Sequence, residues 1–155
     1  MELILWRHAD AEDGAPDSAR KLTAKGVKQA KRMAQWLKGR LPEDTTIFAS
    51  PAKRALETVR ALTDDFKTVT EIGTSASPET LLTAVDWPHR KGHAVLVVGH
   101  QPTLGETAAL LLTGRKGQWE LKKGAIIWLV CREHGGSRSI HLRAAISPDL
   151  VGNNQ

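Results

Sequence analysis

Short, mostly apolar runs alternate along this chain with segments in which apolar side chains recur at three- and four-residue spacing. Residues 2–6 form such a run, of the kind buried on both faces of a parallel sheet. Residues 45–49 and 94–98 are two more, the latter the strongest strand signal present, and a short extended piece is expected at 69–72. Between the runs, Thr23 can cap a helix that carries Val27, Ala30, Ala34, Leu37 and Leu41 along one face and stops near residues 39–42. Ser50-Pro51 and Ser77-Pro78 each read as an N-cap followed by proline at the first helical position. Leu81, Leu82 and Val85 give the second of these helices its apolar side, and residues 102–112 have helical composition up to Gly114.

The last third changes character. Residues 125–132 and 139–145 read as strands separated by Gly135-Gly136, a turn that would pair them as a hairpin. The expected fold is therefore α/β: a three-layer α/β/α sandwich with a mostly parallel central sheet and a late antiparallel element. A single domain is expected over residues 1–151, with 152–155 as a flexible tail.

Composition narrows the class. With 155 residues, 41% apolar and 25% charged, the chain can bury one core and has the make-up of an ordinary globular protein. Its single cysteine, Cys131, lies in an apolar run and is expected to be a buried, inert thiol with no disulfide partner. The start at Met1-Glu2 lacks the basic opening and long apolar core of a signal peptide, and no run is long enough to span a bilayer, so a cytoplasmic monomer is expected. The formal charge of +5 favours anionic substrates or partners. Nucleic acid is set aside, because Lys25, Lys28, Lys31, Arg32 and Lys38 spread along one solvated helix face without an aromatic-interleaved patch.

Three strand ends emit the residues that could do chemistry: Arg7-His8 after the first, Arg54 after the second, and His100 after the 94–98 strand. In an open α/β sheet ligands bind beyond the carboxyl ends of the strands, so parallel neighbours would bring these four together. Two guanidiniums and two imidazoles make an anion site whose forked donors suit the oxygens of a phosphoryl group. Helix N-termini after Ser50 and His100 would add backbone N–H groups. His89 and His93 stand four apart, but Gly92 and the lack of a clear helix argue against a metal site.

Leu5-Trp6-Arg7-His8-Ala9, Asp17-x-x-Arg20-x-Leu22-Thr23-x-x-Gly26, Ser50-Pro51-x-x-Arg54-Ala55-x-Glu57-Thr58 and Val97-Val98-Gly99-His100-x-Pro102 together resemble the histidine phosphatase, or phosphoglycerate mutase-like, superfamily. The Leu-Thr-x-x-Gly element and the short chain are similar to its phosphohistidine phosphatase (SixA) branch. The resemblance covers almost the whole chain in order. It implies His8 as nucleophile, Arg7 and Arg54 as phosphate ligands, His100 as the second histidine of the phosphate pocket with Gln101 beside it, and Glu79 as the acid that protonates the leaving group. No cofactor or metal is implied. The physical reading agrees, since nearby arginines would keep the His8 imidazole neutral and offset charge on the transferring group.

Two positions depart from the family pattern. Ala9 stands where many members carry glycine, a small-for-small change. Glu79 sits at a predicted helix N-terminus, which favours its charged form, and Asp10 and Asp17 are rival donors. An alkoxide leaving group needs a proton whereas imidazole is far less basic, so a weak acid favours a phosphohistidine-containing protein as substrate. A small-molecule phosphomonoesterase of the same mechanism is the alternative, and a non-catalytic phosphate-binding module the alternative of another class. Glu57 is expected to orient an arginine, and Trp87 or Trp119 to stand at the groove rim.

Overall fold

The computed structural model describes residues 1–152, so all of the expected tail except Gly152 lies outside the described residues. Six strands, β1 (Glu2–Arg7), β2 (Thr46–Ala49), β3 (Lys67–Thr68), β4 (Ala94–Gly99), β5 (Ile126–His134) and β6 (Ser137–Ile146), form one sheet. Its order is β3-β2-β4-β1-β5-β6. The first four in that order run parallel, while β5 is antiparallel to both β1 and β6. Helices α1 (Ala24–Leu37), α2 (Lys53–Arg60), α3 (Pro78–Ala84) and α4 (Thr103–Thr113) cover it.

Alternation along the central strands explains the layering. Leu3, Leu5, Val95 and Val97 pack with Leu81 and Leu104 of α3 and α4 on one face. Ile4, Trp6, Leu96 and Val98 meet Met33, Leu37, Ala55 and Val59 of α1 and α2 on the other. Because both faces are covered, the strands read as continuous apolar runs, and this is the expected three-layer sandwich. Each such side chain contributes about 1.5–3 kcal/mol when fully buried.

Details differ from the pattern-based expectation. Strand β3 ends at Thr68, and residues expected to be extended coil instead into a 3-10 turn, Thr70–Ile72, that buries Ile72. Helix α1 buries Ala30, Met33, Ala34 and Leu37, whereas Val27 lies off that stripe at 39% exposed. Trp87 belongs to the core and not to a groove rim. Gly135 and Gly136 have φ of +56° and +82°, as a tight two-residue hairpin turn requires. Cys131 is free and buried. No helix among the described residues is long and apolar enough to cross a membrane.

The Leu-Thr-x-x-Gly element clips the loop after β1 onto α1. Thr23 caps the helix by accepting from Gly26 N–H over 3.0 Å, and its hydroxyl donates to Asp10 Oδ2 over 2.7 Å. Gly26 comes so near the Asp10 carbonyl that a Cβ there would sit 1.9 Å from its oxygen. Only glycine permits that approach.

Candidate active site

Strand order delivers the reactive side chains to one place. Arg7 closes β1, paired with Gly99 at the end of β4, so His8 and His100 leave adjacent parallel strands side by side. Their ring centroids are 5.1 Å apart. Strand β2 lies on the other flank of β4 and leads through Ser50 into α2, whose first turn carries Arg54. His8, Arg54 and His100 are 6%, 4% and 3% exposed, which is unusual enough for charged or imidazole groups to demand an explanation. Together with Arg7 they line a cleft of about 250 Å³ whose mouth carries Asp17, Arg20 and Lys123. A larger cleft, about 660 Å³, opens between α1 and residues 146–152, but no histidine or acid lines it.

The backbone fixes the tautomer of His8. His8 Nδ1 lies 2.8 Å from the Ala9 carbonyl oxygen, which can only accept, so Nδ1 carries the proton and Nε2 keeps its lone pair. Ala9 N–H donates to Thr58 Oγ1 over 3.0 Å, and the same hydroxyl donates to the Arg54 carbonyl over 2.7 Å. No positive φ at Ala9 calls for glycine. Arg54 is held by the loop after β1, with Nη1 on the Asp17 carbonyl at 2.9 Å and Nη2 on Asp17 Oδ2 at 3.1 Å. Arg20 steadies that carboxylate from the other side at 3.0 Å, so the Asp17-x-x-Arg20 element sets the position of Arg54. Arg7 Nη1 donates to the Leu121 carbonyl over 2.7 Å.

Among the described residues, five buried side-chain nitrogens have no hydrogen-bond partner, and three of them are Arg7 Nε, Arg54 Nε and His100 Nδ1. Unpaired buried polar groups cost about 1–3 kcal/mol each, and their concentration at one spot marks a place where an anion completes the bonding. Ser50 Oγ lies 2.7 Å from His100 Nε2.

Both imidazoles are neutral at physiological pH. Burial pushes His8 down to about 3 against the opposing effect of its bond to Ala9, and the nearby His100, Arg54 and Arg7 add to the shift. His100 falls to about 4, chiefly through burial and then through Arg54. Burial therefore outweighs the arginines as the cause of neutrality, contrary to the expectation from sequence. Burial also lowers Arg7, although a guanidinium stays protonated.

Other expected residues stand elsewhere. Glu79 does not line the cleft: it is exposed in the first turn of α3, paired with Lys116 Nζ at 2.9 Å, and faces a separate hollow with Val69 and Thr83. That hydrogen bond to Lys116 is the main reason its carboxyl is held below its ordinary range. Asp10 pairs with Lys123 at 2.8 Å, and Asp17 with Arg20 and Arg54. Hydrogen bonds from these cations lower both carboxyls, so neither rival is a ready proton donor. Gln101 lines the cleft, yet its amide is committed to Trp119 O at 2.8 Å and to Gly105 N–H at 2.7 Å. The latter bond, with Leu104 N–H on the His100 carbonyl, occupies N–H groups of α4 that were expected to face a ligand.

Glu57 accepts from Leu22 N–H over 3.1 Å and orients the loop, not an arginine. His93 bonds Asp44, and no three His, Cys, Asp or Glu among the described residues gather as a metal-ligand set. Sequence reasoning passed over Ser50, Thr58 and Arg20 as site residues, although all three lie within the motifs quoted.

Comparison with known proteins follows the same geometry. A family model for the histidine phosphatase superfamily (branch 1) matches residues 3–76. The phosphohistidine phosphatase SixA of Escherichia coli (strain K12) is 33% identical over 125 residues, covering 74% of this chain and 76% of that protein. The structure of the protein histidine phosphatase SixA complexed with tungstate superposes with a TM-score of 0.82 at 26% identity, covering 96% of this chain and 98% of the other. A phosphoserine phosphatase mutant from Entamoeba histolytica shares the fold alone, with a TM-score of 0.69 at 20% identity over 95% and 97% of the two chains.

Proposed function

Because the chain belongs to the histidine phosphatase superfamily and is a phosphatase, we propose that it hydrolyses phosphohistidine on another protein through a phosphoryl intermediate on His8. The substrate phosphoryl group takes the three unpaired N–H positions of Arg7, Arg54 and His100. The solved SixA is complexed with tungstate, a tetrahedral oxyanion of similar shape, which supports a site for such an anion in this chain. His8 Nε2 attacks phosphorus, the N–P bond of the substrate breaks, and its electron pair returns to the departing ring. With a proton already on its distal nitrogen, that ring leaves as neutral imidazole. The guanidiniums offset charge on the equatorial oxygens, the largest contribution to be expected in phosphoryl transfer.

Phospho-His8 keeps its Nδ1 proton on the Ala9 carbonyl, so it too departs as neutral imidazole. Water attacks phosphorus, the Nε2–P bond breaks, the water's proton passes to solvent or product, and phosphate is released.

One observation carries the choice of phosphohistidine: among the described residues the only carboxylate lining the cleft is Asp17, held ionised by Arg20 and Arg54. An ester whose alkoxide must be protonated finds no acid there, whereas general acid catalysis typically contributes about 10²–10⁴-fold. With Arg7, Arg20, Arg54 and Lys123 against Asp17, the cleft lining carries a net positive charge, which suits an acidic protein surface around the modified residue. Steady-state comparison of a phosphohistidine protein with phosphoserine and sugar phosphates should favour the former by about 10²-fold or more in kcat/KM. Equal rates on the esters would overturn the assignment.

A further inference from the structure

We propose that Ser50 is a positioning residue that fixes the tautomer of His100, so that its Nδ1–H is presented to the phosphoryl group. Ser50 is fully buried. Its Oγ accepts from Ala52 N–H over 3.2 Å and lies 2.7 Å from His100 Nε2. A serine hydroxyl has one proton to give and two lone pairs. If His100 Nε2 carried the ring proton, Oγ would accept twice and its own proton would be buried with no acceptor. If the hydroxyl donates to Nε2, both Oγ and Nε2 are satisfied, and the neutral ring carries its proton on Nδ1, the atom left without a protein partner.

The two histidines of the cleft then work with opposite nitrogens. A backbone carbonyl holds the His8 proton on Nδ1 and frees Nε2 as nucleophile, while a hydroxyl fills Nε2 of His100 and leaves Nδ1–H as donor. The segment after β2 serves both, since it carries Ser50 and since its Thr58 anchors the N–H of Ala9, the residue whose carbonyl holds His8. The Ser50 role rests on the cleft being the phosphoryl site, but it can fail separately, because the tautomer is read in ligand-free protein.

The test is long-range 1H–15N NMR of the histidine rings in ligand-free protein, followed by titration with inorganic phosphate. Wild type should show His100 with a protonated Nδ1 and an unprotonated, hydrogen-bonded Nε2. Ser50→Ala should move His100 toward the other tautomer and weaken phosphate binding about tenfold, the loss of roughly one hydrogen bond. Ser50→Thr, which keeps the hydroxyl, should restore both. A wild-type spectrum with the proton on Nε2 would overturn the proposal even if Ser50→Ala failed to fold. So would a folded Ser50→Ala that keeps both tautomer and affinity.

Discussion

At Ser77-Pro78 the serine caps α3, accepting from Thr80 N–H over 3.1 Å with proline in the first turn, and the neighbouring Glu79 turns outward to Lys116. At Ser50-Pro51 the same dipeptide behaves otherwise. Its serine is fully buried and bonds His100, the helix starts only at Lys53 behind Ala52, and Arg54 turns inward to the cleft. What differs is the surroundings. Strand β4 lies beside β2 and brings His100 within reach of Ser50, so a tertiary partner takes the hydroxyl that a local cap would have used. Chemistry should therefore concentrate at the α2 start and plain helix stability at the α3 start.

Substitutions on the cleft side should give the largest effects. His8→Ala removes the proposed nucleophile and should lower turnover by about 10⁴-fold or more in a single-turnover assay. Arg54→Met should lower kcat/KM by about 10²–10³-fold, since it deletes a charged donor aimed at the phosphoryl group. Retention of activity by either would erase the contrast between the two helix starts.

Acid stability sharpens it further. In the native state His8 and His100 sit at about 3 and about 4 instead of 6.5. Between about pH 6.5 and about 4 the unfolded chain therefore binds protons that the native state refuses. Stability is full above that window and falls as the pH drops through it, which a series of thermal melts should show as a declining Tm. Replacing both histidines with asparagine should flatten the decline; an unchanged slope would mean that the rings are not held neutral.

The α3 side should respond differently. Ser77→Ala should cost about 1 kcal/mol of stability in denaturant titration and leave phosphate binding and kcat/KM alone, whereas Ser50→Ala weakens phosphate binding. Smallest of all, Glu79→Gln should leave turnover of a phosphohistidine protein unchanged. A large loss there would return the carboxyl to the mechanism.

The sheet was legible because β1, β2 and β4 are covered on both faces, so their apolar runs carry the signal without ambiguity. The meeting of Arg7, His8, Arg54 and His100 at one cleft was legible because each lies at or shortly after the end of a parallel strand. The short β3 was displaced by two residues, since its pairing depends on β2 and not on its own exposed side chains. Glu79 stands away from the cleft, and Gln101 lines it with its amide already bonded, for a related reason. Their positions in the chain are right, but Lys116, Trp119 and Gly105 claim them in space, and those contacts have no local signature. Ser50 escaped notice because its local reading as a cap was complete without a partner from β4.

Brief mixing of the enzyme with a ³²P-phosphorylated histidine protein, followed by an alkaline quench and peptide mapping, reports directly on the nucleophile. Transient label on His8 alone, absent from His8→Ala, is the expected result. Label on another residue, or full turnover by His8→Ala, would contradict a phosphoryl intermediate on His8.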